Sequence, residues 1–147
     1  MDRYGVKALK NYYYKWHPTQ DQNFIELAKS NEIVFKGAYY EDECLVVAFC
    51  ICANFYKIVF EEGITPYQIS PKKYFDKIDK DMIEDINWNF FILNSSDRLD
   101  WYYKEGEPYY GNFVAKHYVM LMGENFIEVL ATYAPLFVKI AETTIDK

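Results

Sequence analysis

Apolar positions in this chain fall into one long run and several stripes at helical spacing. The run lies within EDECLVVAFCICANFYKIVFEE, Glu41 to Glu62, where Lys57 is the only charge and Asn54 the only amide between Cys44 and Phe60. A stretch apolar on every face belongs in an interior. Strands usually end after about 5–6 residues, whereas a helix of ~20 residues crosses a small domain. Length therefore predicts a buried central helix, with Glu41, Asp42 and Glu43 at the positive end of its dipole and Gly63 at its C-terminal stop. Acids flank both ends where a membrane span would carry basic anchors, so the segment reads as core.

The remaining stripes extend the helical reading. Val6, Leu9, Tyr13 and Trp16 predict a helix over residues 2–16, ended by Pro18. Thr19 and Gln22 have capping-box spacing, with Phe24, Leu27 and Ala28 turned inward behind them. Residues 32–40 suit either a short strand or a further helical turn, interrupted by Gly37. Ser70-Pro71 opens a long helix to about Leu93, and Ser95 or Ser96 caps a short one from Asp97 to about Lys104. Two more helices are expected over residues 108–122 and from Glu124 to about Thr143, with Pro135 kinking the second. Clean two-residue alternation is almost absent. The expected fold is all-α: a single compact domain over residues 1–147, with six to eight helices around a buried central helix and room for one short irregular or strand segment near 32–40.

Composition narrows the function classes. The net charge of −6 opposes general binding to a phosphate backbone. Cys44, Cys50 and Cys52 all lie in the apolar run, an odd number with no CxxC spacing, and read as reduced thiols acting as small hydrophobes in a cytoplasmic protein. The first residues match neither a signal peptide nor a transit peptide. Aromatic side chains supply 20% of the chain, mostly Tyr, whose apolar ring and polar tip suit half-buried positions and interfaces.

Three groups of residues carry chemical leads. On helices, Asp81 and Glu84 would share one face, as would Asp97 and Asp100, and the corner at Asn94–Ser96 would bring four carboxylates together. Such oxygens suit Mg²⁺, which could bridge to a substrate phosphate. Residues 81–100, DMIEDINWNFFILNSSDRLD, resemble the paired acidic motifs of the all-α nucleoside-triphosphate pyrophosphohydrolases. That resemblance implies a Mg-dependent enzyme of nucleotide or nucleic-acid metabolism with these four acids as its catalytic and metal-binding set. The bland reading is a solvated acidic face. The second lead is N-terminal: Arg3, Lys7, Lys10 and Lys15 beside Trp16, a pattern that suits phosphate contact and base stacking, or simply an amphipathic helix with wet lysines. The third is aromatic. Trp101, Tyr102 and Tyr103, with Tyr109 and Tyr110 across a Gly/Pro turn, cannot all face one core from a helix. They mark an interaction surface, or a locally packed loop.

With no nucleophile elbow, phosphate loop or zinc motif in view, the leading expectation is a non-catalytic helical interaction module without a cofactor. It would present the Tyr/Trp surface to a protein partner or to a second copy, and would not enter a membrane. His117 is expected to be a packed or hydrogen-bonded histidine.

Overall fold

A computed structural model describes residues 9–21, 23–62, 65–106 and 114–140, and it overturns the all-α expectation. The chain forms two antiparallel sheets facing each other. The first has five strands: β1 (Tyr14–Lys15), β6 (Phe90–Leu93), β7 (Lys116–Met122), β8 (Asn125–Ala131) and β5 (Tyr67–Pro71), in that spatial order. The second has four: β2 (Val34–Glu41), β3 (Cys44–Ile51), β4 (Asn54–Phe60) and β9 (Leu136–Ile140). Two α-helices are present among the described residues, α1 (Phe24–Ala28) and α2 (Asp97–Gly106).

The expected central helix is a hairpin. β3 and β4 pair from Leu45↔Phe60 to Ile51↔Asn54, joined by Cys52 and Ala53, with Cys52 at φ 55°. No Gly, Pro or Asn marks that turn, so the run reads as unbroken. Alternation is also hidden, because β3 buries both of its sides: Leu45, Val47 and Phe49 on one, Val46 and Cys50 on the other. Strands buried on both faces lose the period-2 signature and read as continuous apolar runs. The preceding turn is of the same two-residue kind, with Asp42 and Glu43 both at positive φ. The three acids expected at a helix start thus form a hairpin turn and its approach.

The other long helices dissolve too, into strands and 3₁₀ turns. Residues 70–93 hold the end of β5, two 3₁₀ segments (Lys72–Lys77 and Lys80–Met82) and β6. The segments expected as helices over 108–122 and from Glu124 onward contain β7, β8 and β9. Gly123, read as a helix stop, sits at φ 62° in the tight turn between β7 and β8. Residues 32–40 become most of β2, with a register shift between Phe35 and Gly37. Residues 9–16, assigned to a first helix, hold a turn, an isolated bridge from Tyr13 to Ile83, and β1.

The core between the sheets is aromatic. Phe49 meets Phe90 at 6.0 Å and Phe60 meets Tyr118 at 5.4 Å between ring centroids. Trp88 is wholly buried and its Nε1–H donates to the Trp16 carbonyl at 3.1 Å. The five-stranded sheet is covered on its second face as well. There Tyr13 and Phe75 pack on Phe91, while Leu99 and Tyr102 of α2 pack with Leu130 of β8. No described helix is long and apolar enough to cross a membrane.

Candidate functional site

The covered outer face of the five-stranded sheet carries its buried polar chemistry. Helix α2 starts as its sequence predicts: the Leu99 N–H donates to Ser96 Oγ at 3.1 Å, the first helical bond runs from the Asp100 N–H to the Ser96 carbonyl, and Asp97 and Asp100 occupy the first turn. Such a cap satisfies a backbone donor that the helix itself cannot. Below it, β7 and β8 pair with His117 opposite Leu130 and Val119 opposite Glu128. Counting along the pleat therefore puts His117 and Glu128 on one face as diagonal neighbours.

These residues form one hydrogen-bonded chain. Ser96 Oγ lies 2.9 Å from His117 Nδ1, and His117 Nε2 lies 2.9 Å from Glu128 Oε1. The same carboxylate oxygen accepts from Arg98 Nε at 3.1 Å, and Arg98 Nη2 donates to Gln68 Oε1. Gln68 stands directly across from Glu128 in the β5–β8 register. With a proton on Nε2, His117 donates to Glu128, while Nδ1 pairs with the Ser96 hydroxyl and Ser96 Oγ accepts from the Leu99 N–H. Burial pushes the Glu128 carboxyl up, but the hydrogen bond and electrostatic pull of His117, together with the charge and hydrogen bond of Arg98, outweigh it and hold the group below its usual 4.5.

Two clefts meet at Arg98 and Glu128. One, of about 330 Å³, is walled by Tyr13, Ile78, Met82 and Leu93, with His117 and Ser96 also on its lining. The other, of about 250 Å³, runs past Pro66, Tyr67, Gln68, Trp101 and Leu130. The guanidinium is partly exposed, whereas Glu128 and His117 are buried. Arg98 has five N–H donors and uses two on Glu128 and Gln68, which leaves three for the clefts.

This arrangement holds groups still instead of preparing them to react. Both ring nitrogens of His117 are engaged, and Ser96 is 1% exposed with its oxygen committed to the helix cap. A general base needs reach to a substrate proton, and a nucleophile needs access.

The residues singled out from sequence land elsewhere. Asp97 and Asp100 pair with Lys10, at 3.3 Å for Asp97, and Asp97 also exchanges hydrogen bonds with Asn11. Glu84 accepts from the Lys15 backbone N–H at 2.8 Å, and Asp81 sits in the 3₁₀ segment Lys80–Met82. The four acids do not assemble: among the described residues no group of three His, Cys, Asp or Glu side chains could hold a metal ion. The Mg-dependent reading, and the resemblance that suggested it, fail with the helices that would have aligned those acids. Trp16 is buried, Lys15 lies 5.1 Å from the Trp88 ring, and Arg3 and Lys7 lie outside the described residues.

The aromatic group divides. Trp101 is 52% exposed, Tyr102 is buried against Leu99 and Leu130, and the Tyr103 hydroxyl accepts from the Ala115 N–H at 2.8 Å. Tyr109 and Tyr110 lie outside the described residues. The helical module built around this surface is corrected accordingly: its fold is a β-sandwich, and of residues 101–103 only Trp101 is strongly exposed. His117 is packed and hydrogen-bonded, as its apolar surroundings predicted. Sequence reasoning passed over Glu128, Arg98 and Gln68. The available signal was a lone acid inside an apolar run, FIEVLA, which must find a partner if that run is buried. Comparison with protein-family models, curated proteins and solved structures finds no match to this chain.

Proposed function

We propose that this protein is a β-sandwich that binds a small carboxylate-bearing molecule in the clefts beside Arg98. The supporting observation is the braced guanidinium. Glu128 fixes it from the sheet and Gln68 from the side, so its free N–H donors are positioned before any ligand arrives. Arginine presents a planar fork that matches a carboxylate, and such charge-assisted pairs are the strong hydrogen bonds. Leu130, Pro66, Tyr67 and Trp101 supply an apolar wall for the rest of the ligand. An aromatic carboxylate, with its ring against Trp101 and its acid on Arg98, fits this combination best.

The test uses the chain's own fluorescence. Trp16 and Trp88 are buried and Trp101 is exposed, so a ligand in this cleft changes the Trp101 signal. Titration with phenylacetate, indole-3-acetate and their neutral amides should show saturable binding of the acids alone. Arg98→Gln should weaken it at least tenfold, and Trp101→Phe should abolish the optical change while calorimetry still reports binding. Acid binding that is indifferent to Arg98→Gln, or no binding of any acid, would overturn the reading.

A further inference from the structure

Two oxygens beside Arg98 have no hydrogen-bond partner. Glu128 receives its hydrogen bonds from His117 and Arg98 on Oε1, which leaves Oε2 free. The Tyr13 ring packs edge-on against Phe75 at 5.6 Å and Phe91 at 5.8 Å between centroids, and its hydroxyl makes no hydrogen bond among the described residues. Both side chains are more than nine-tenths buried: Glu128 is 8% exposed and Tyr13 7%. Among the described residues that are not themselves exposed, Thr65 Oγ1 is the sole side-chain nitrogen or oxygen both sealed from solvent and unpaired. The free Glu128 and Tyr13 oxygens therefore open onto a cleft. The one that both residues line is the larger of the two, which Arg98 also lines.

Charge decides what those oxygens take. Glu128 is ionised at neutral pH, and Asp97 is a second acid on the lining of the same cleft. A bare carboxylate seated on Arg98 therefore lies beside a negatively charged oxygen, and the two repel. An ammonium on the ligand carbon that bears the carboxylate removes the conflict. It donates to Glu128 Oε2 while the carboxylate stays on the guanidinium, and each charge then has its opposite. Tyr13 adds a neutral acceptor. Burial first, and then the Glu128 charge, keep the proton on its hydroxyl, whose lone pairs remain open to an N–H. We infer that the ligand of the Arg98 site is a free aromatic α-amino acid. Its carboxylate lies on Arg98, its ammonium faces Glu128 Oε2 and the Tyr13 hydroxyl, and its ring lies against Trp101. This inference rests on the carboxylate reading above and adds the positive charge that reading left open. Arg98 and Glu128 line both clefts, so ring and ammonium can leave one carbon in different directions. A peptide fits less well, because its C-terminal residue has no ammonium and its N-terminal residue no carboxylate.

Calorimetric titration of the full chain with ligands that share one phenyl skeleton tests this. L-Phenylalanine should bind about tenfold or more tightly than 3-phenylpropanoate, which lacks only the ammonium. N-Acetyl-L-phenylalanine, whose nitrogen is neutral, should bind no more tightly than 3-phenylpropanoate. Glu128→Gln should bring the two acids to within about threefold of each other, and Tyr13→Phe should narrow their ratio by about threefold. A preference for L-phenylalanine that survives Glu128→Gln places the ammonium elsewhere and overturns the proposal. If Glu128→Gln loses its fold or all binding, Tyr13→Phe decides, and an unchanged ratio overturns the proposal. Equal binding of L-phenylalanine and 3-phenylpropanoate by the wild-type chain, both weakened by Arg98→Gln, overturns the ammonium site and leaves the carboxylate reading standing. L-Phenylalaninamide, which has the ammonium without the carboxylate, gives the converse. If it binds as tightly as L-phenylalanine and ignores Arg98→Gln, the carboxylate reading fails and this inference fails with it.

Discussion

The two sheets differ in what covers them. The five-stranded sheet is buried on both faces, with the four-stranded sheet on one side and α2 with Tyr13 and Phe75 on the other. The outer face of the four-stranded sheet is mixed: Val46 and Cys50 of the central β3 are buried there, whereas Val34 and Tyr39 of β2 and Leu136 and Val138 of β9 are exposed. In the doubly covered sheet an ionisable pair is held in place, because neighbours on every side satisfy it: Glu128 has His117 and Arg98, and His117 has Ser96. Burial without such partners would be prohibitive. Among the described residues the four-stranded sheet holds no such pair, and its flanking strands leave apolar side chains in water. Coverage thus sorts the molecule into a region able to hold a charged side chain in a set geometry and a region whose flanking strands stay apolar and wet.

The largest effect should come from the aromatic core. Trp88 is fully buried against His17 and Phe24, so Trp88→Ala leaves a cavity in the core and should cost about 3–5 kcal/mol, read as a lower urea midpoint. Breaking the polar chain comes next. Glu128→Ala strands Arg98 and His117 on the sheet and should cost about 2–4 kcal/mol. Glu128→Gln should cost less and should also flatten the pH dependence. The sign follows from the depressed carboxyl: in the unfolded chain it holds its proton more tightly, so stability rises with pH in the acid range. The Glu128 contribution is full above the ordinary value of 4.5 and is lost as pH falls through the lower folded value. Urea melts of wild type and Glu128→Gln at successive acid pH values should therefore converge as the carboxyl is protonated.

Smaller effects sharpen the contrast. Ser96→Ala removes the cap of α2 and a partner of His117, and should cost about 1–2 kcal/mol. Leu136→Ser, on exposed β9, should change stability by no more than about 0.5 kcal/mol. A Leu136→Ser effect as large as that of Ser96→Ala would show that this strand is covered, and would erase the difference between the sheets.

Much of the local grammar was legible in the residues. Ser96 before Asp97 announced a helix cap, and α2 begins there. The stretch from Cys44 to Phe60 announced an interior, and seven of its residues are buried: Leu45, Val46, Val47, Phe49, Cys50, Ile58 and Phe60. Gly123 read as the stop of a helix, and it sits instead at positive φ in the turn between two strands. The error lay in period. β3, β7 and β8 are buried on both sides for most of their length, so their patterns lack the alternation that identifies a strand. Cys52-Ala53 turns the chain without a turn residue to mark it. Once helices were assumed, Asp81, Glu84, Asp97 and Asp100 lined up on paper. On the actual backbone two of them pair with Lys10 and another accepts from the Lys15 backbone.

By itself, the order of residues determined where the chain is apolar, where α2 is capped and which stretches must be interior. These follow from side-chain polarity and from hydrogen bonds spanning three or four positions, which neighbours in sequence decide among themselves. Whether the interior segments coil or extend, and which polar groups meet, was decided only in three dimensions. His117 and Glu128 are eleven positions apart and Gln68 and Glu128 sixty, and strand pairing alone brings them into contact across about 5 Å of sheet.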